Sequence, residues 1–218
     1  MTKLIKKILY TGTITLKTGL HIGGTNTALN IGGPDKFVVR NPLNKKPYIP
    51  GSSLKGKLRS LLELKHGCID VDRNGNSKAS SNPNSPSGKL FGVAAKNNGH
   101  PSRLIVRDCE MIINEENKEL FKNTDLHYTE SKTEANIDRV TSAANPRTYE
   151  RVPAGAQFEL NMVLNVFDTD DEAELKRLLD QAIALLHDDY LGGSGSRGYG
   201  QVELKFKKED GEPKTYID

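Results

Sequence analysis

Tryptophan is absent from this chain of 218 residues, and cysteine is nearly so. The two thiols, Cys68 and Cys109, argue against a disulfide framework and suit a reducing cytoplasm. No run of about 18 apolar residues occurs, so no membrane span is expected. The opening "MTKLIKKILYTG" sets lysines beside a short apolar patch, but that patch alternates with polar residues and no small-residue cleavage site follows, which argues against a signal peptide. A large charge excess is lacking as well: the formal net charge of +3 decides nothing by itself.

The hydrophobic share of 35% and charged share of 27% suit a soluble chain with a real core and a generous polar periphery, read as one domain over 1–218 with long insertions. Charge is unevenly spread. From Phe37 to Ser60 there are six basic residues (Arg40, Lys45, Lys46, Lys55, Lys57 and Arg59) and no acid, whereas Asp168 to Asp180 holds six acids against Lys176 and Arg177. A local basic stripe is the usual footprint of polyanion binding, although a solvated surface would carry the same residues.

Residues 8–17 alternate, with Ile8, Tyr10, Ile14 and Leu16 on one face, which predicts a half-buried strand. Leu54, Leu58, Leu61 and Leu62 recur at helical spacing behind Ser52 and Ser53, which predicts a capped helix over 53–65. "RLIVRDCEMII" over 103–113 reads as a strand, and the alternation of Phe158, Leu160, Met162, Leu164 and Val166 as another. An acid-led amphipathic helix follows, its stripe formed by Leu175, Leu178, Leu179, Ala182, Leu185 and Leu186. Tyr199, Val202, Leu204 and Phe206 mark the last strand. This order is the βαββαβ of an α+β, ferredoxin-like domain. The intervals 18–51, 66–102 and 114–156 are then insertions of a length that points to function or disorder, and "DRNGNSKASSNPNSPSGK" has the composition of a disordered segment.

Chemistry concentrates in four places. "GGSGSRGYG", residues 192–200, holds five glycines around Arg197; glycines such as Gly193 let a backbone approach a ligand, and the guanidinium suits a phosphate, yet a glycine-rich turn needs no ligand. It lacks the lysine and hydroxyl of a P-loop. "IPGSSLKGKLRSLLE" combines a helix start, Ser52, Ser53, and Lys55 with Arg59 one turn apart, all able to face one backbone. "GLHIGG" places His21 where it could stack on a base, touch phosphate, act as a general base or do nothing, and "IGGPDKF" carries the isolated carboxylate of Asp35, which alone reads as a turn residue. Arg139, Arg147 and Arg151 lie in an extended arm or hairpin suited to embracing a nucleic-acid strand. His66, Cys68, His100 and Cys109 match no standard zinc spacing.

Together and in this order, "GLHIGG", "IGGPD", "PYIPGSSLKGKLRSLLE", "LFG", "RLIVRDCEM", "IDRVTSAANPRTYERVPAGAQF" and "GGSGSRGYGQV" resemble the backbone subunits of type III-A CRISPR-Cas interference complexes, the Csm type of repeat-associated (RAMP) proteins, over roughly residues 8–207. The resemblance implies an RRM-related palm repeated head to tail along a crRNA guide, a thumb-like hairpin within about 123–150, and periodic cutting of paired target RNA by a loop aspartate and a divalent metal ion, magnesium or manganese. The aspartate falls on Asp35, the only acid between Met1 and Lys57. Guide-gripping positions fall on His21, Ser52, Ser53, Lys55, Arg59, Arg139, Arg147 and Arg197, with Gly193 in the glycine turn. Other copies of the chain and other type III subunits are the implied partners, in the cytoplasm and without a membrane. One departure is the proline directly before Asp35, which restricts the preceding glycine and bears on how the carboxylate is presented. Three rival readings are a guide-processing endoribonuclease with His21 as base, a backbone that holds guide without cutting, and an unrelated ferredoxin-like metabolic domain.

Overall fold

The computed structural model of the chain describes residues 2–24, 34–94 and 99–207, with the backbone of 214–215. Part of the "IGGPD" loop and residues 95–98 of the second insertion lie outside the described residues. The alternating segments become long strands: β1 (Leu4–Leu16) and β9 (Gln157–Phe167) pair antiparallel in register, Ile14 opposite Phe158 and Tyr10 opposite Met162. Even-numbered residues of both strands face one side, so Ile14, Leu16, Phe158, Leu160 and Met162 are buried together. β10 (Val202–Phe206) adds to the free edge of β1, and β11 (Lys214–Thr215) pairs the start of β1.

The strand expected over 103–113 is two strands. β5 (Leu104–Val106) and β6 (Cys109–Ile112) both pair β9, and β2 (Tyr48–Ile49) pairs β6. Between them the Arg107 amide still donates to the Asn161 carbonyl, while the Asp108 carboxylate turns away to accept the Gly51 amide at 2.7 Å. One break in the strand therefore caps a helix. The antiparallel sheet runs β10-β1-β9-β6-β2.

Helices α1 (Gly51–His66) and α3 (Glu172–His187) pack against each other over the buried face. Leu54, Leu58, Leu62, Leu178, Leu179 and Leu186 are fully buried there, each contributing about 2 kcal/mol of burial. α3 starts as expected, with the Asp171 carboxylate accepting the Ala173 and Glu174 amides. α1 does not: it begins at Gly51 behind Pro50, and no serine side chain caps it, because Asp108 from the β5–β6 break already holds the first amide. Ser52 and Ser53 sit inside the first turn instead.

The low-complexity stretch expected to be disordered is folded. β3 (Asp70–Val71) and β4 (Ser77–Lys78) form a small hairpin, and α2 (Pro86–Phe91), capped by Ser85 onto the Gly88 amide, buries Leu90 and Phe91 in the main core. Glu63 of α1 accepts the Ser80 amide while Arg59 donates to the Ser80 and Gly92 carbonyls. Two apolar residues and two charged ones on the neighbouring helix thus order a polar run that composition alone assigns to solvent. No helix among the described residues is long and apolar enough to cross a membrane.

Candidate nucleic-acid interface

β7 (Glu130–Ile137) and β8 (Ala144–Arg151) form a separate two-stranded hairpin, Glu134 opposite Arg147, that projects from the sheet. The tip is closed by the Asp138 carboxylate accepting the Val140 and Thr141 amides; Val140 there is 93% exposed, and Arg139 beside it is exposed as well. The base is held by a buried carboxylate. Glu150 binds Arg40 and the Thr129 hydroxyl through Oε1 and the Val38 amide through Oε2. Its amide donates to the Lys36 carbonyl, and its carbonyl lies 2.6 Å from His21 Nδ1. A carbonyl only accepts, so Nδ1 is the donor in this contact.

Asp35 lies alongside this base. Its amide donates to the Thr148 carbonyl at 2.9 Å and its Oδ2 accepts the Thr148 amide at 2.7 Å, so the carboxylate is fixed against β8 at an exposed position. Lys36 pairs with Tyr149 as a parallel bridge and places its ammonium 5.3 Å from the Tyr149 ring centre. The proline before Asp35 is buried.

The glycine turn packs on the same region. Gly192 has φ +79°, and a Cβ there would meet the His21 carbonyl oxygen at 2.4 Å; the Gly193 amide donates to that carbonyl at 2.8 Å. The amide of Gly193 is thus engaged by the protein itself, and the floppy composition has a first use within the fold: close approach to the 19–21 segment. Arg197 stays exposed at the turn and reaches Glu134 on the hairpin, Nη1 to Oε2 at 3.1 Å. Glu134 also accepts the Tyr199 hydroxyl at 2.7 Å and pairs with Lys132. The Tyr199 bond holds the Glu134 carboxyl below the usual range, while burial and that same carboxylate push the Tyr199 hydroxyl up to about 12. The result is an open groove lined by Lys132, Glu134, Arg147, Tyr149 and Arg197.

The sequence-derived residues therefore fall into two groups. His21, Asp35, Arg147, Gly193 and Arg197 meet around β8, with Arg139 apart at the hairpin tip. Ser52, Ser53, Lys55 and Arg59 sit on α1. Lys55 donates to the Ser102 hydroxyl, and its ammonium is held below the usual lysine range by burial and then by Arg59. Arg59 is engaged with Glu63, Ser80 and Gly92, which is a folding role that the basic stripe did not reveal. Lys57 links the groups: its ammonium lies 3.8 Å above the Tyr190 ring, the same ring against which a Cβ on Gly195 would collide. Sequence reasoning passed over Glu134 and Glu150, and it read Arg40 only as part of the basic stripe and Tyr199 only as a strand residue. Residues 130–151 hold four acids, Glu130, Glu134, Asp138 and Glu150, against four bases, so charge pattern alone does not single out Glu134 or Glu150.

Among the described residues no three His, Cys, Asp or Glu side chains come together to hold a metal ion. His66 bonds Gln181, His100 lies beside Arg103, and burial pushes the Cys109 thiol up to about 12, so the four zinc candidates are dispersed and one is unfit as a thiolate. Asp35 offers a single carboxylate. That suits a magnesium-like ion bound by one protein ligand and completed by water and phosphate oxygens.

The family model described as the RAMP superfamily matches residues 13–203. A chain from Methanocaldococcus jannaschii described as "CRISPR system Cms endoribonuclease Csm3" is 42% identical over 216 residues, 97% of this chain and 84% of that one. Its counterpart of the same description from Enterococcus italicus is 40% identical over 201 residues, 92% and 91% of the two chains. Among solved structures, the Csm3-Csm4 subcomplex of the type III-A CRISPR-Cas interference complex superposes with a TM-score of 0.57 at 32% identity, covering 93% of this chain and 77% of that one. The chain belongs to the RAMP superfamily, and within it to the Csm3 endoribonucleases.

Proposed function

We propose that the chain is a guide-RNA-binding backbone subunit of a type III CRISPR interference complex, which lines up with further copies along the crRNA and cleaves paired target RNA at regular intervals. One observation carries this reading: strand β8 carries Arg147 in the groove it shares with Arg197 of the glycine turn and holds the Asp35 carboxylate on the amide of the next residue, Thr148. The endoribonuclease names of the relatives support RNA cleavage, and the two-subunit solved neighbour supports assembly with other subunits. We read the sheet with its two helices as a ferredoxin-like, RRM-related palm, supported by the order β10-β1-β9-β6 and its antiparallel pairing. Residues 114–156 supply the thumb-like hairpin.

In this reading Arg147 and Arg197 pair with backbone phosphates, and Lys36, Lys55 and Arg139 add positive potential. Asp35 is the catalytic residue: its carboxylate, pinned by the Thr148 amide, faces the phosphodiester of the paired target. A divalent metal ion held there would supply charge neutralisation at the phosphate and a nucleophile at neutral pH. The burial of His21, 7% exposed, counts against the rival reading in which it is the base of a guide-processing reaction.

Single-stranded RNA titrated onto the full chain tests the binding part. Three or four phosphate contacts correspond to a roughly 20- to 50-fold loss of affinity between about 50 and 200 mM salt. Arg147→Ala and Arg197→Ala each weaken binding. An affinity that stays flat with salt, or that ignores both arginines, contradicts the assignment of this groove to RNA.

A further inference from the structure

The groove that would hold RNA already contains an anion. Glu134 stands opposite Arg147 on the hairpin, and its carboxylate accepts from the Arg197 guanidinium, the Tyr199 hydroxyl and Lys132. Arg197 is otherwise a surface residue, and the Tyr149 hydroxyl and Glu134 shift its guanidinium further above the usual arginine value. The carboxylate is thus placed where a phosphate oxygen would bind, on the same donor and with the same charge-assisted geometry.

We infer that Glu134 is a specificity-determining residue, an internal counter-ion that an RNA phosphate must displace from Arg197. The inference rests on the RNA-binding reading of the groove. A tethered carboxylate competes at an effective concentration of the order of millimolar or above, so an isolated phosphate or mononucleotide loses the competition. A polynucleotide wins it, because the phosphate at Arg197 is itself tethered to neighbours that engage Arg147 and the lysines. Glu134 converts a cluster of cations into a site that answers to chains of phosphates and not to single ones. After displacement it keeps the Tyr199 hydroxyl and Lys132 as partners, so the released carboxylate is not left bare.

Two roles can be told apart. If Glu134 only positioned the Arg197 side chain, losing it would weaken RNA binding. If it competes, losing its charge strengthens binding and exposes one more full cation to the RNA. The experiment is fluorescence anisotropy of a labelled single-stranded RNA on the full chain over a salt series, for wild type, Glu134→Gln, Glu134→Ala, Arg197→Ala and the Glu134→Gln/Arg197→Ala double variant. Both Glu134 variants are expected to bind several-fold tighter at low salt. The slope of log affinity against log salt should steepen by up to ~0.7, one phosphate on a single strand. The gain should vanish in the double variant, which should bind no better than Arg197→Ala. Competition by mononucleotide, negligible for wild type, should become measurable for Glu134→Gln. Unchanged or weaker binding by Glu134→Gln and Glu134→Ala, with Arg197→Ala still defective, overturns the counter-ion role alone. Binding that ignores Arg197→Ala overturns the RNA reading of the groove and this inference with it.

Discussion

Replacing Glu150 by alanine is expected to cost the chain about 3 kcal/mol of stability, the low end of the range for removing one member of a buried ion pair. The Glu150 side chain is 2% exposed, and its two oxygens serve the Arg40 guanidinium, the Thr129 hydroxyl and the Val38 amide. Deleting it leaves the buried Val38 amide without a partner and the Thr129 hydroxyl without an acceptor, while Arg40 keeps the Lys45 and His127 carbonyls and the Thr129 oxygen. Arg40 itself is 24% exposed, which lets water relieve part of the penalty and sets the estimate at the lower end. For a chain of this size the loss corresponds to a fall of roughly 6 to 12 °C in Tm, read by circular dichroism or calorimetry. Arg197→Ala, which breaks an exposed pair between the glycine turn and the same hairpin, should shift Tm by no more than about 2 °C. A Glu150→Ala chain that melts with the wild type would show that the contacts at the hairpin base do not hold it.

The second large effect is chemical. Asp35→Ala should lower the rate of target cutting in a guide-loaded complex by at least ~10²-fold, the equivalent of losing about 3 kcal/mol of transition-state stabilisation. The fold should survive it. Asp35 is exposed, and its side chain contributes one hydrogen bond to the Thr148 amide, worth about 1 kcal/mol. Asp35→Asn separates the two roles, because the amide oxygen can keep the Thr148 bond while the charge is gone. Equal loss of cutting in both variants, with complexes of wild-type size and guide content on gel filtration, is the expected pattern. Full activity of Asp35→Asn would move the carboxylate's role from chemistry to loop structure.

Much of the architecture is legible in periodicity. The alternation in 8–17 and 158–166 and the leucine stripes of the two long helices mark the elements that carry the core, because burial of one face imposes a repeat on the chain. Boundaries and local contacts are less legible. The break in the strand at Arg107–Asp108 turns on a contact between Asp108 and Gly51, far apart in sequence, and no local pattern announces it. The order of residues 70–91 likewise comes from Glu63 and Arg59 on α1 and from burial of Leu90 and Phe91, not from the segment's own composition. At the candidate site, the cations and Asp35 stand out as charged residues on glycine-rich or basic loops. The acids that organise them do not: Glu134 and Glu150 read as ordinary hairpin residues until tertiary contacts put one against Arg197 of the glycine turn and the other against Arg40.

The most direct test of target cutting is incubation of the wild-type guide-loaded complex with end-labelled complementary RNA, in magnesium and in chelator, beside a non-complementary strand. The predicted result is a ladder of regularly spaced products from the complementary strand alone, abolished by the chelator, with a spacing set by the repeat of this chain along the guide. Tight retention of the complementary strand with no products in magnesium would contradict it, leaving a subunit that holds guide and target without cutting.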